Sequence, residues 1–62
     1  MDSNLELFRQ IQQEMGVSNS ALSKLLGVSV ATVEKRRAGK VRIADEVIAA
    51  MLYFRSERNG TP

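Results

Sequence analysis

Five cations, Lys35, Arg36, Arg37, Lys40 and Arg42, fall within residues 34–42 beside a single acid, Glu34, so that stretch carries +4. The whole 62-residue chain carries only +2, from nine Lys and Arg against seven Asp and Glu, which leaves −2 on everything else. Cations gathered on one segment of a mildly acidic body make a directional field, as binding to a polyphosphate requires, because each neutralised phosphate releases condensed counterions. A solvated helix end has the same composition, so charge alone does not decide between the two. Proton transfer, thiolate attack and zinc ligation lack candidates: there is no histidine or cysteine, no metal-ligand cluster and no glycine-rich phosphate loop, and the chain is too small to enclose a pocket. The expectation is a protein that is not an enzyme and takes no cofactor, metal or small-molecule effector.

The same size limits how the cations can be held in place. A chain of this length buries only about 60% of the surface its unfolded form exposes, and without cysteine it has neither disulfide nor thiolate-metal staple. Neat helical packing, a partner subunit, or both must supply the difference. The lack of cysteine fits a reducing compartment, no run is long and apolar enough to span a membrane, and the polar start, Met1 to Asn4, is unlike a signal peptide. These features lead us to expect a soluble cytoplasmic protein.

Glycines punctuate the chain. Ser3 with Glu6 makes a capping box, Leu5, Phe8, Ile11 and Met15 follow at helical spacing, and Gly16 ends a first helix over 4–15. Ser18 caps a second helix with an apolar face of Ala21, Leu22, Leu25 and Leu26, ended by Gly27. Ser29 caps a third over 30–38, anchored by Val30 and Val33 and ended by Gly39. A fourth runs from about Ile43 or Ala44 to Arg58, with Asp45 and Glu46 in its first turn and Arg55 and Arg58 near its last, as the helix dipole favours. On it Ile43, Val47, Ala50, Met51 and Phe54 form the expected core stripe, with Ile48 and Leu52 facing away. Nothing reads as a strand. The predicted fold is all-α: a compact bundle of four short helices, one domain over 1–58, with 59–62 as a disordered tail.

Helices 2 and 3, joined through Gly27, Val28 and Ser29, can cross steeply only if several positions cooperate. Ser23 is small where the second helix must cross the first, Gly27 accepts a positive φ, Val28 can plug the corner, and Val33 can seat between Leu22 and Leu26. Residues 19–39 resemble the helix-turn-helix of the phage repressor and Cro class, the XRE-type family. The likeness extends to the leading helix, to Gly16, Val17 and Ser18 before the motif, and to Gly39 and Lys40 after it. The family usually has alanine where Ser23 stands. After the position of Val33 it tends to have a bulky apolar residue and then a glutamate, where this chain has Arg36 and Arg37. That glutamate is often paired with an arginine near the position of Gln12, so the resemblance implies an ion pair missing at both ends. The family commonly continues to a fifth helix, which is not expected within these residues.

With Val33 directed inward, Ala31, Lys35 and Ala38 point nearly opposite, and Thr32 and Glu34 flank them. A face of short side chains suits entry into the major groove. There Lys35 can donate to guanine O6 and N7, Glu34 can accept from cytosine N4, and Ala31 or Thr32 can meet a thymine methyl; a plain solvated charge is an equal reading of Glu34. The resemblance adds Val30, at the helix tip, as a base-reading position, and Asn19 as a contact to the DNA backbone. Free amides at the start of helix 2, by Ser18 and Asn19, suit phosphate in any case. Arg37, Lys40 and Arg42 are further phosphate candidates, and Arg36 either joins them or lays its stem over the core.

Ile48 and Leu52, with Tyr53 and Arg55 beside them, are the expected dimer interface, giving a homodimer on a near-palindromic double-stranded DNA operator. The reading is thus a bacterial or phage transcriptional regulator, by resemblance a repressor. The competing one is a helical protein-interaction module that antagonises another regulator; the basic third helix argues against it, since protein-docking faces are more apolar.

Overall fold

The computed structural model describes residues 3–58. Four helices follow in order: α1 Ser3–Met15, α2 Asn19–Leu26, α3 Val30–Arg37 and α4 Asp45–Arg58. Three are bounded as the caps and glycines predict, to within a residue. Ser3 is the first residue of α1 rather than its cap, and α3 closes at Ala38. The tail expected over 59–62 lies outside the described residues.

Local chemistry explains each boundary. Ser18 and Ser29 sit in extended backbone, and each side chain accepts from the amide three residues on, Ala21 N and Thr32 N, both at 3.1 Å. At the far ends Gly27 and Gly39 adopt left-handed backbone, φ 71° and 77°. The next amides then reach back to close the last turns: Val28 N to Ser23 O, and Lys40 N to Lys35 O, both 3.0 Å. Alanine at either glycine would meet a left-handed backbone penalty of about 1–2 kcal/mol. Its methyl would have open space at 27 but would sit 3.1 Å from Leu5 Cδ2 at 39. Gly39→Ala is therefore expected to lower the urea midpoint more than Gly27→Ala does. Equal losses would show that Leu5 moves aside freely.

The core draws on every helix: Phe8, Ile11 and Met15 of α1, Leu22 of α2, Val33 of α3, and Ile43, Ile48 and Met51 from α4 and the segment before it. Fully burying one such side chain is worth about 1.5–3 kcal/mol. Ser23, buried at the α2–α3 crossing, satisfies its hydroxyl by donating to Ser20 O at 2.6 Å. α1 and α4 lie alongside one another in the same direction. At one end Asn4 Nδ2 donates to Ile43 O (2.9 Å) and Asp45 Oδ1 (2.8 Å); at the other, Arg58 Nε donates to Met15 O (3.2 Å) and Arg55 pairs with Glu14. Asn4 thereby pins the start of α4, whose approach through residues 40–42 holds no favoured capping residue. Hydrogen bonds from Arg55 and then Gln10 hold the Glu14 carboxyl below its ordinary pKa.

One expectation for α4 is corrected. Ile48, expected to face away from the core, is 7% exposed and belongs to it. The cause is Ala50, only half-buried and about 100° from Met51 on the helical wheel: counting it centred the expected stripe on the side away from Ile48. Without it, Val47, Ile48 and Phe54 all fall within about 60° of Met51, and Leu52 lies about 100° away. Arg55, expected at a dimer interface, has its guanidinium engaged by Glu14 of the same chain. Leu52 and Tyr53 remain exposed, at 40% and 61%. Among the described residues no helix is long and apolar enough to cross a membrane.

Candidate nucleic-acid interface

Val33 is the only buried residue of α3, and its single anchor fixes which way the rest of the helix turns. Val30, Ala31, Glu34 and Lys35 are exposed, while Thr32 and Arg36 are half-buried. Ala31, Glu34, Lys35 and Ala38 line one shallow depression together with Lys40 from the following turn. Three of the five base-reading candidates therefore share one surface with a phosphate candidate. Its lining combines two alanine methyls with three charged side chains. Thr32 stands at the edge, its hydroxyl 3.0 Å from Ser29 Oγ within the cap. Lys35, Arg36 and Arg37 fill the last turn of α3, where cations also suit the helix dipole. The half-buried Arg36 fits a stem laid partly over neighbouring side chains. Lys40 and Arg42 stand exposed beyond the turn, beside exposed Val41.

The other phosphate candidates gather elsewhere. Ser18, Asn19 and Arg37 line a second depression with Gln12, Gln13, Gly16 and Val17, where the end of α1 meets the start of α2. Arg37 points its chemistry toward α1: NH1 donates to Gln12 Oε1 at 2.8 Å. The family's ion pair between these two positions is thus replaced by a hydrogen bond of reversed polarity, with the cation on α3 and a neutral acceptor on α1. Gln12 in turn donates to Asn19 Oδ1 (2.9 Å) and Val17 O (3.2 Å). Arg37 is therefore a tie between α1 and α3, rather than an uncommitted cation like Lys40 or Arg42.

Two contributors escaped the sequence reading. Arg9 clamps the end of α3, donating from Nε (2.9 Å) and NH2 (2.7 Å) to Arg37 O. Nothing in the spacing of α1 singles it out, because it occupies an exposed position. Gln12 did leave a signal: it is a polar residue on the stripe of Phe8, Ile11 and Met15, where an amide needs partners once buried. Among the described residues no buried side-chain nitrogen or oxygen lacks a partner.

The arrangement is a short helix presented on its neighbour, with a small-residue face, a cationic C-terminal end and a polar notch at the start of α2. The family model for the antitoxin Xre-like helix-turn-helix domain matches residues 5–55, from the first turn of α1 to near the end of α4. No curated protein and no solved structure gives a significant match.

Proposed function

The chain belongs to the antitoxin Xre-like helix-turn-helix family, a DNA-binding regulatory domain, and from that premise we propose that it is a sequence-specific transcriptional repressor acting in the cytoplasm. It occupies a near-palindromic operator as a homodimer, with α3 in the major groove. The observation that carries this reading is the shared surface of Ala31, Glu34, Lys35, Ala38 and Lys40. Two methyl-bearing residues among charged neighbours support a close approach to base edges, where Lys35 would meet guanine and Glu34 cytosine. Val30 and Thr32 complete the reading face. Ser18 and Asn19 at the start of α2, with Arg36, Lys40 and Arg42 around α3, supply backbone contacts.

One α3 covers only a few base pairs, so specificity calls for a second copy. Leu52 and Tyr53, the largest apolar side chains α4 leaves exposed, with exposed Leu7 on neighbouring α1, support that interface. Sedimentation at tens of micromolar should show a dimer that Leu52→Lys converts to a monomer. A monomer throughout, with no cooperative binding on DNA, would remove the dimer from this account.

The primary test is a gel shift on random duplex at about 50 and 200 mM salt. Three uncommitted cations per protomer, Arg36, Lys40 and Arg42, should make affinity fall at least tenfold between the two, since each phosphate neutralised contributes about −0.9 to the slope of log K against log salt. No binding at low salt would overturn the DNA reading in favour of a protein-interaction module.

A further inference from the structure

Gln12 is 4% exposed, as hidden as the apolar side chains around it, and every hydrogen-bonding atom of its amide has a partner across a helix boundary. Those partners form a directed chain. A guanidinium has donors only, so Arg37 NH1 at 2.8 Å fixes Oε1 as the end of Gln12 that faces α3. Nε2 must then face the start of α2, where it donates to Val17 O and Asn19 Oδ1. An amide nitrogen cannot accept, so Asn19 has to offer its oxygen inward. That leaves its Nδ2, a donor, at the half-exposed end of the side chain, and no described residue accepts from it. Ser18, Asn19, Gln12 and Arg37 all border the same depression.

We propose that Gln12 is a positioning residue for DNA-backbone binding: polarised by Arg37, it holds the Asn19 amide with its donor outward, toward a phosphate at the start of α2. The inference rests on the reading of that helix start as a backbone contact. It assigns the buried amide a job beyond packing. A hydrogen-bond chain set by an obligate donor at one end delivers a donor at the other, which is what an anion requires. Were the polarity reversed, Asn19 would present its oxygen and repel the phosphate.

Gln12→Glu separates this role from structure. The carboxylate still accepts from Arg37, but it has no proton for Asn19, which must turn Nδ2 inward and Oδ1 outward. Affinity should be measured on random duplex at low salt for the full chain, Gln12→Glu, Asn19→Ala and the double variant. Asn19→Ala is expected to weaken binding about tenfold and Gln12→Glu by more than that, in line with losing or inverting one hydrogen bond to a charged group. Adding Gln12→Glu to Asn19→Ala should then cost almost nothing further. If the carboxylate instead weakens binding by the same factor in both backgrounds, it acts as a nearby negative charge and the positioning role is overturned. Should Gln12→Glu fail to fold, the unmodified chain still decides: the Asn19 side-chain NH2 signals should shift on adding duplex while those of Gln12 stay put, and unmoved Asn19 signals would overturn the inference. Failure of the unmodified chain to bind any duplex would instead remove the DNA reading beneath it.

Discussion

Phe8→Ala should leave much of the chain unfolded at 25 °C. Phe8 is fully buried, and it is the largest side chain in a core of eight residues drawn from all four helices. Truncating a buried phenylalanine typically costs about 3–5 kcal/mol, part of it transfer and part the cavity left behind. Native domains hold about 0.05–0.15 kcal/mol per residue, so a chain of this length has about 3–9 kcal/mol to lose. No disulfide offsets the loss. Far-UV circular dichroism in urea should show the native baseline shortened or gone. Leu52→Ala, at a residue 40% exposed, should instead stay within about 0.5 kcal/mol of the unmodified chain, as surface positions do. Because only the folded state presents α3, excess duplex should recover part of the lost helicity, by about 2.7 kcal/mol at a hundred times Kd. A loss under 1 kcal/mol for Phe8→Ala would mean that the helices close over the cavity, and that α1 is not the element on which the others are assembled.

That dependence on α1 marks the boundary between what the sequence shows and what it hides. Ser18, Gly27, Ser29 and Gly39 act through their own backbone and the next few residues, so the edges of α2 and α3 are visible in the order of residue types alone. Val33 is legible in part: the sequence offers both Val30 and Val33 as anchors of α3, and the structure buries Val33 while leaving Val30 exposed. What stays hidden is set by contacts across the fold. Ile48 was turned outward because half-buried Ala50 was counted in the stripe, and only the structure shows that the buried face centres on Met51. Arg55 has its partner, Glu14, 41 residues away along the chain, where no local pattern reveals it. Arg37 has as its partner a neutral amide that no search for opposite charges would propose. Pattern reading thus recovers short-range determinants well and does not see partners that are distant or uncharged.

The same distinction, between charges already engaged and charges left over, sets the expected division between reading bases and gripping the backbone. Lys35 and Arg42 are both exposed cations with no salt bridge, but Lys35 shares the depression on α3 with Ala31 and Glu34, whereas Arg42 lies beyond the turn outside it. Under the proposed docking, Lys35 meets a base edge and Arg42 a phosphate. Lys35→Ala should then cost about 1–3 kcal/mol on a site selected from a random duplex library, a five- to hundredfold loss, and relax the preference at one base pair of each half-site. On random duplex the same change should matter far less. Arg42→Ala should weaken selected and random duplex by the same factor and reduce the salt slope by about 1. The comparison needs four affinities per variant: two duplexes at two salt concentrations. Identical behaviour of the two variants would collapse the distinction, leaving α3 as a cationic wedge whose sequence choice comes from methyl contacts and DNA shape. That result would be informative for this helix in particular, because its outward face carries no glutamine, asparagine or arginine at Ala31, Glu34, Lys35 or Ala38. With so few groups able to form paired hydrogen bonds to a base, nearly all direct readout available to α3 has to pass through Lys35 and Glu34.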